Sequence, residues 1–260
     1  MRSLKLHYPR FSLGKRFSVG QSNFSSTSSD RKPIGLVGLG KIGSAMGRNF
    51  VHRGQYSVVG YDIDRGQRSR FYDSNAHTKR CEVVSHPSEL MERCDTIVTV
   101  LPNDTILKSF VSNEMLPHFR NSSNMNSEVI KVHISCSTVG PQTAHDLYTL
   151  QQERTNNRFE YMSAPVFARP DGMAKAQAYI PISGNLKFMP KCSELLQHTS
   201  TEVCGFGADV KSACVVKLCG NFLIASAIES MAESFTLGAF FFFPFVPLPF
   251  PKKKNSFLYI

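Results

Sequence analysis

The chain has 260 residues and a formal net charge of +10, and this length is enough to bury one large core or two smaller ones. The excess charge lies at the two ends, in residues 1–29 and from Gly238 onward, so we expect no basic binding face and no nucleic-acid partner. Seven cysteines without a Cys-x-x-Cys pair argue against a disulfide framework and against a metal site.

The N-terminal segment, residues 1–31, is rich in serine and in basic residues, and its first 29 residues contain no acid. This composition is typical of a transit peptide, and the continuous apolar run of a secretory signal is missing. We therefore expect a disordered segment that directs the protein to mitochondria. A plastid address is one alternative, and a tail without any address on a cytoplasmic protein is another.

A strand–turn–helix signal opens the predicted globular part. The apolar run 34–37 leads into Gly38, Gly40 and Gly43, spaced as G-x-G-x-x-G, and helix-forming residues continue to His52. In a dinucleotide-binding turn the first glycine permits the turn, the second lets the backbone approach the pyrophosphate, and the third lets the helix pack on the strand. The helix N-terminus adds free N–H groups and a positive dipole end. An ordinary glycine-rich turn is the alternative interpretation.

A second apolar run, 57–61, ends at Asp62. This acid follows the glycines by about 20 residues, where a carboxylate is expected to bind the cofactor ribose. A carboxylate here favours NAD, because it would repel the 2′-phosphate of NADP. Arg65 and Arg68 follow closely and could accept that phosphate, so NADP stays open.

Short apolar runs then alternate with amphipathic stretches as far as residue 204. We expect strands at 81–84, 95–101, 128–134, 159–164, 179–183 and 202–204, and helices at 87–93, 105–111, 141–153 and 186–198. This alternation predicts an α/β fold with a doubly wound parallel sheet of Rossmann type over residues 32–208.

The last two segments differ from the rest. Residues 212–237 contain no proline, and their composition predicts one long helix within 209–238. The segment 239–260 combines phenylalanines, four prolines and a triple lysine, and it suits neither a packed element nor a membrane span. We expect a tail outside the fold and no membrane partner. An aromatic–proline interaction motif is the alternative.

Four segments, 35–46, 98–103, 133–141 and 207–221, form a combined signature. In order and spacing they resemble the β-hydroxyacid dehydrogenase family, which includes 3-hydroxyisobutyrate dehydrogenase and the cofactor domain of 6-phosphogluconate dehydrogenase. The resemblance implies an oxidoreductase that transfers hydride between NAD or NADP and a small hydroxy acid or carbonyl substrate. Besides the three glycines, Asp62 and Arg65, it implies cofactor contacts for Lys41, Ile42, Leu101, Pro102, Asn103 and Thr138. Thr138 could instead cap the helix that begins at Pro141.

The fourth segment holds Lys217 and Asn221, for which the resemblance implies catalysis. They lie four residues apart in an apolar stretch, so they share one helix face. Apolar surroundings lower the pKa of a lysine, which suits an acid/base acting on a substrate oxygen. Asn221 can donate to, and accept from, a substrate hydroxyl or carboxylate. A surface lysine with an extended aliphatic stem is the alternative.

The chain departs from the family's pattern at the substrate loop, which the resemblance assigns to Pro165, Val166 and Phe167 together with Asn221. Phe167 stands where the family has a serine, and Ala168 and Arg169 replace glycines. Phe167 cannot donate a hydrogen bond, so we expect a more apolar pocket. This puts 3-hydroxyisobutyrate itself in doubt as the substrate and favours a branch nearer to imine-reducing or aldehyde-reducing members.

The resemblance also stops near Gly238. In the family an all-helical second domain continues from this helix, closes the substrate cleft and forms a homodimer. We expect the long helix to begin an incomplete version of that domain in a truncated chain, for which the homodimer is in doubt. The main alternative is a truncated, non-catalytic NAD(P)-binding protein. A methyltransferase or a short-chain reductase is disfavoured by the Lys/Asn helix and by the lack of a Tyr-x-x-x-Lys pair.

Overall fold

A computed structural model describes residues 32–121 and 129–242 of the chain. The predicted transit peptide, residues 1–31, and the part of the predicted tail beyond Phe242 lie outside these residues. The chain divides into two compact units, Met1–Leu218 and Cys219–Ile260. All strands of the described residues belong to the first unit.

Eight strands of the described residues form one sheet. They are β1 (Ile34–Val37), β2 (Val58–Tyr61), β3 (Cys81–Val83), β4 (Thr96–Thr99), β5 (Lys131–Ser135), β6 (Phe159–Ser163), β7 (Ala178–Gly184) and β8 (Ser200–Gly205). Their spatial order is β3-β2-β1-β4-β5-β6-β7-β8. β1 pairs in parallel with both β2 and β4, and parallel pairing continues outward to β3 and to β6. The predicted doubly wound, Rossmann-type sheet is confirmed as a mostly parallel sheet.

Nine α-helices occur in the described residues. They are α1 (Lys41–His52), α2 (Arg65–Asn75), α3 (Pro87–Arg93), α4 (Asp104–Phe110), α5 (Leu116–Asn121), α6 (Pro141–Thr155), α7 (Pro170–Ala174), α8 (Met189–Gln197) and α9 (Lys211–Phe242). The sequence pattern does not predict α2 or α7. Helix α2 buries only Phe71 and Asn75, so it lacks the regular apolar stripe by which a helix is predicted.

Two helical segments extend past their predicted ends. A π-helical turn, Val111–Met115, joins α4 directly to α5. Helix α9 continues to Phe242 and so includes the first residues of the predicted tail, because the first proline after it is Pro244. By length and composition alone, Lys211–Phe241 could cross a membrane. The absence of a membrane partner therefore stays a prediction.

The pairing of β7 departs from the parallel pattern. β7 runs antiparallel to β6, through Met162↔Gly184 and Ser163↔Ser183, and β8 then runs parallel to β7. The connection from β6 to β7 contains only the short helix α7. A parallel crossover usually needs a full helix that packs back on the sheet, so this short connection favours an antiparallel return.

Neighbouring strand residues face two different hydrophobic cores, because side chains alternate across a strand. Leu36 and Val98 belong to a first core together with Phe50 of α1. Val37 and Ile97, their sequence neighbours, belong to a second core. A sheet with a core on each face leaves its strand ends, rather than its faces, available to a ligand.

One buried histidine of β5, His133, has both ring nitrogens paired. The Gln151 Nε2 atom lies 2.9 Å from Nδ1, and the Thr99 Oγ1 atom lies 2.9 Å from Nε2. One ring nitrogen is thus paired with the Gln151 amide and the other with the Thr99 hydroxyl. Burial lowers the pKa of His133 to about 3. The folded protein therefore holds this ring neutral.

We expect His133 to make the stability of the fold depend on pH. Below about pH 6.5 the unfolded chain binds a proton at this residue, whereas the folded chain does not until about pH 3. The contribution of the neutral His133 ring to stability is complete above about pH 6.5 and is lost as the pH falls. The free energy of unfolding should therefore fall by about 2 kcal/mol between about pH 7 and pH 5. Urea denaturation at both pH values measures this loss. The variant His133→Gln should show a loss smaller by that amount, and an equal loss would contradict the assignment.

Candidate functional site

The sheet collects the predicted cofactor segments at one edge. Strands β1, β2, β4, β5 and β6 run parallel, so their carboxyl ends point to the same edge. The chain order reverses between β1 and β4, and open α/β sheets bind ligands in the crevice at such a reversal. The predicted site residues that follow these strand ends are Gly38, Gly40, Lys41, Ile42 and Gly43, then Asp62, then Leu101, Pro102 and Asn103, then Thr138, and last Pro165, Val166 and Phe167.

The three glycines of the turn differ in what surrounds them. Gly38 has a φ of +88°, and a Cβ there would overlap the carbonyl oxygen of Val100. A Cβ on Gly43 would overlap the carbonyl oxygen of Gly38. A Cβ on Gly40 would meet no atom within 4 Å. Gly38 and Gly43 are therefore required by the fold, whereas the open space at Gly40 suits a ligand that approaches the backbone closely.

Helix α1 begins directly after Gly40. Its N-cap residue is Gly40 itself, which provides no side-chain hydrogen bond to the first turn. The first N–H groups of α1 are therefore not capped by that residue and can face an anion. Lys41, the first residue of the helix, is exposed, and the half-buried Ile42 packs against the first core.

Asp62 follows β2 and contacts the glycine turn. Its Oδ2 accepts a hydrogen bond from the backbone N–H of Leu39 at 2.7 Å, and its Oδ1 accepts one from Asp64 at 2.9 Å. Each carboxylate oxygen can accept a further hydrogen bond. The carboxylate is thus held in one orientation beside the turn and can still bind a hydroxyl group.

Two arginines near Asp62 have different roles in the loop. The guanidinium of Arg68 donates to the carbonyl oxygen of Asp62 at 2.6 Å. Arg65 is exposed at the first position of α2, just after Asp64, whose carboxylate caps that helix by accepting from Gly66 N at 2.7 Å. Arg68 therefore braces the loop, and Arg65 is the arginine that can reach outward to a phosphate.

The segments after β4 and β5 are joined by hydrogen bonds. The backbone N–H of Leu101 donates to Ser137 Oγ at 2.8 Å, and that of Gly140 donates to Asp104 Oδ1 at 2.9 Å. Burial raises the pKa of Asp104, but hydrogen bonds from Thr143 and Gly140 outweigh this and hold it below its usual value. Sequence reasoning missed Ser137 and Asp104, although both lie within or beside the segments that it singled out.

The predicted cofactor residues of these segments lie at the surface of the same edge. Asn103 caps α4, because its Oδ1 accepts from Ile106 N at 2.9 Å. Pro102 and Thr138 are exposed, and Leu101 is half-buried. Thr138 does not cap α6, since Gly140 is its N-cap residue. The hydroxyl of Thr138 therefore remains available to a ligand.

Lys217 is a buried lysine in the first turns of α9. It is only 9% exposed, and burial lowers its pKa below the usual value. Ser183 fixes the start of the helix, because its Oγ donates to Val210 O at 3.2 Å and accepts from Ala213 N at 3.0 Å. The Cys214 Sγ atom lies 3.7 Å from Ser163 Oγ, at the end of β6. The helix therefore holds Lys217 at the carboxyl end of β6.

The predicted substrate loop brings one of its side chains to Lys217. The ring centroid of Phe167 lies 4.0 Å from Lys217 Nζ. Pro165 and Val166 are buried, and Val166 belongs to the first core. Asn221, the fourth predicted substrate residue, belongs to the second unit of the chain, beyond Leu218. The structure thus brings the Phe167 side chain of the predicted loop to the lysine.

Metal binding gains no support from the described parts of the chain. Within residues 32–121 and 129–242, no group of three or more His, Cys, Asp or Glu side chains is arranged to hold a metal ion.

Comparison with known families identifies one match over most of the chain. Residues 33–215 match the family described as the NAD binding domain of 6-phosphogluconate dehydrogenase.

Two curated proteins with similar sequences come from a mammal and a bacterium. The mitochondrial 3-hydroxyisobutyrate dehydrogenase of Rattus norvegicus is 28% identical over 241 residues, which cover 88% of this chain and 64% of the rat protein. An uncharacterized oxidoreductase, YfjR, of Bacillus subtilis is 25% identical over 206 residues, which cover 78% of this chain and 66% of that protein. The chain therefore spans slightly less than two thirds of the length of these relatives.

Solved structures show the same fold at lower identity. A 3-hydroxyisobutyrate dehydrogenase of Mycobacterium tuberculosis with L-serine has a TM-score of 0.68 at 21% identity. The match covers 80% of this chain and 65% of the dehydrogenase chain. An imine reductase variant of Myxococcus stipitatus in complex with NAD+ has a TM-score of 0.67 at 15% identity. The match covers 80% of this chain and 66% of the reductase chain. At these identities the likeness concerns the fold alone.

Proposed function

The chain belongs to the family of the NAD binding domain of 6-phosphogluconate dehydrogenase, and from this premise we propose that it is an NAD- or NADP-dependent oxidoreductase. Its substrate is a small hydroxy acid or a carbonyl compound, and Lys217 is the acid/base. The observation that carries this proposal is a buried lysine with a lowered pKa, held at the sheet edge where the glycine turn also lies. The residues present fit a dinucleotide, since a Cβ at Gly40 would fill open space beside the start of α1.

The chemistry divides between cofactor and protein. A nicotinamide cofactor supplies the hydride acceptor or donor when it is bound. In the oxidation direction, the neutral amine of Lys217 takes the proton of the substrate hydroxyl. The carbon atom that bears this hydroxyl gives up its hydride to the cofactor. In the reduction direction, the ammonium form returns that proton to the carbonyl oxygen. A pKa lowered by burial favours both steps, because it brings the two forms of Lys217 closer in free energy.

The substrate class follows from the loop that contains Phe167. Its ring lies 4.0 Å from Lys217 Nζ, at the position where the family resemblance implies a serine that holds the substrate carboxylate. We therefore favour carbonyl or imine compounds with apolar substituents over 3-hydroxyisobutyrate. The two classes also occur among the names of similar proteins, as 3-hydroxyisobutyrate dehydrogenases and as imine reductases.

Cofactor choice depends on Asp62, and we expect NADH to bind more tightly than NADPH. In Asp62→Asn the charge that repels a 2′-phosphate is gone, while the amide oxygen can still accept a hydrogen bond from the ribose. The ratio of NADPH to NADH affinity should therefore rise about tenfold or more, which corresponds to about 1.4 kcal/mol. Fluorescence titration with both cofactors measures it. Asp64→Asn, two residues further on, is the matched control and should leave the ratio unchanged.

The proposed function is tested on the full chain in two assays. Titration with NADH and NADPH measures cofactor binding, and a panel of small hydroxy acids, aldehydes and imines measures turnover. Binding with turnover of one class supports the proposal. Binding without turnover favours the second candidate, a non-catalytic NAD(P)-binding protein. Absence of binding to either cofactor contradicts both.

Location and assembly are further parts of the proposal. We place the protein in mitochondria, since the basic, serine-rich residues 1–31 are typical of a transit peptide and the rat relative is named as mitochondrial. A fluorescent fusion of residues 1–31 that stays in the cytosol, or enters plastids, would contradict this location. The family resemblance implies a homodimer, which is in doubt for this chain, and light scattering of the full chain distinguishes a monomer from a dimer.

A further inference from the structure

The closest charged–aromatic contact of the described residues involves the proposed acid/base. Lys217 Nζ lies 4.0 Å from the centroid of the Phe167 ring. At this distance the cation is attracted by the electron-rich ring face, and the attraction strengthens when water is excluded. The other ion–ring distances recorded for Arg158 with Phe119 and for Lys187 with Phe188 are 5.9 and 5.8 Å.

Lys217 has no carboxylate partner in the part of the chain that the structure describes. The ion pairs found there join other residues. Because the side chain is only 9% exposed, water compensates its charge poorly. The Phe167 ring therefore makes the recorded electrostatic contact with this charge.

The Phe167 ring is itself fixed in place by β7. The backbone N–H of Phe167 donates to Tyr179 O at 2.9 Å, and Tyr179 N–H donates back to Phe167 O at 3.1 Å. The two rings also pack together, with centroids 6.0 Å apart. The two hydrogen bonds fix the backbone of Phe167, and the ring contact limits the positions of its side chain. A side chain fixed in this way can define the position of a flexible lysine.

We propose that Phe167 is a positioning residue for Lys217, which holds the ammonium group at the sheet edge through a cation–π contact and replaces a charged partner. The inference rests on the proposed oxidoreductase function and deepens it. An aromatic face attracts the cation without accepting a conventional hydrogen bond, so the N–H groups of Lys217 stay available to a substrate oxygen. A carboxylate partner would take those N–H groups and compete with the substrate.

The other titratable groups of this region do not replace the ring. Cys214 lies one turn earlier in α9, and the charge of Asp104 in α4 acts on its thiol. The Tyr179 ring packs against that of Phe167, and burial raises the pKa of its phenol. None of these groups is a cause of the lowered pKa of Lys217, which is lowered by burial. Variation of Phe167 therefore changes the ring that the ammonium group contacts.

The test measures the pKa of Lys217 in the full chain, from the pH dependence of its acylation by acetic anhydride as followed by mass spectrometry. In Phe167→Leu we expect this pKa to fall by about one unit, because the charged form loses its contact with the ring. Phe167→Tyr retains the ring and should keep the pKa within about 0.3 unit of the original. Phe188→Leu removes the ring beside Lys187 and is the matched control, which should leave Lys217 unchanged.

Two results would overturn the proposal: an unchanged pKa in Phe167→Leu, or an equal fall in Phe167→Leu and Phe167→Tyr. If Phe167→Leu fails to fold by circular dichroism, Phe167→Met, which also lacks the ring, takes its place with the same expected fall. Acylation requires neither cofactor nor turnover. A chain that binds no NADH or NADPH but shows the shift contradicts only the proposed function, whereas a chain that binds and lacks the shift contradicts only the role of Phe167.

Discussion

The variant Gly40→Leu should fold like the unchanged chain and yet bind NADH and NADPH about 100-fold or more weakly. A side chain at this position enters space that is open in the structure, so it should cost the fold no more than the loss of a glycine N-cap, about 1 kcal/mol. A dinucleotide would need that same space for its pyrophosphate, which has to approach the backbone here. Urea denaturation and fluorescence titration measure the two effects separately.

Gly43→Ala is the matched control for Gly40→Leu, since it changes the same turn by one methyl group. Its Cβ would overlap the backbone carbonyl of Gly38, which cannot move aside as a flexible side chain can. We expect the free energy of unfolding to fall by about 3 kcal/mol. Unchanged cofactor affinity in a well-folded Gly40→Leu variant would mean that the turn is structural only.

The variant Lys217→Met should lower kcat by about 1,000-fold on the best substrate of the panel and leave NADH affinity unchanged. Methionine fills similar space but can neither accept nor return the substrate proton, and such a proton transfer contributes about 100- to 10,000-fold to a rate. Because the lysine is buried without a carboxylate partner among the described residues, its removal should not lower the free energy of unfolding. Turnover kinetics and urea denaturation measure these quantities.

The control for Lys217→Met lies on the same helix. Lys211, the first residue of α9, is half-buried beside Asp209, and Lys211→Met should retain full turnover. The pH profile gives a second measurement in the unchanged chain. In the oxidation direction the rate should rise as Lys217 loses its proton, with a midpoint below the usual lysine pKa because burial lowers it. A kcat of Lys217→Met within about tenfold of the original would exclude the lysine as acid/base.

Much of the cofactor half of the site could be predicted because its signals are local. The apolar run, the spacing of Gly38, Gly40 and Gly43, and the acid at Asp62 lie within 30 residues of one another. Each of these features depends on backbone geometry within a single strand–turn–helix–strand unit. The structure places them in one strand–turn–helix–strand unit, and it adds a hydrogen bond from the Leu39 N–H to Asp62 that the sequence pattern does not predict.

Elements with weak local patterns escaped prediction. Helix α2 has too few buried residues to show a stripe, and the π-helical turn between α4 and α5 has no distinct sequence signal. The antiparallel return of β7 was not expected, because strand direction depends on how the connection packs against the sheet. Ser137 and Asp104 look like ordinary loop residues until their partners on neighbouring segments are known.

By itself the sequence determined the alternation of strands and helices, the glycine turn and the carboxylate that follows β2, since these depend on residues close together in the chain. Only the tertiary structure decided which groups meet across the chain. It brought Phe167 to 4.0 Å from Lys217 and enclosed His133 between Thr99 and Gln151. The physical reason is that burial and partner choice arise when separate segments pack together, and they set the pKa of a lysine or a histidine more strongly than its sequence neighbours do.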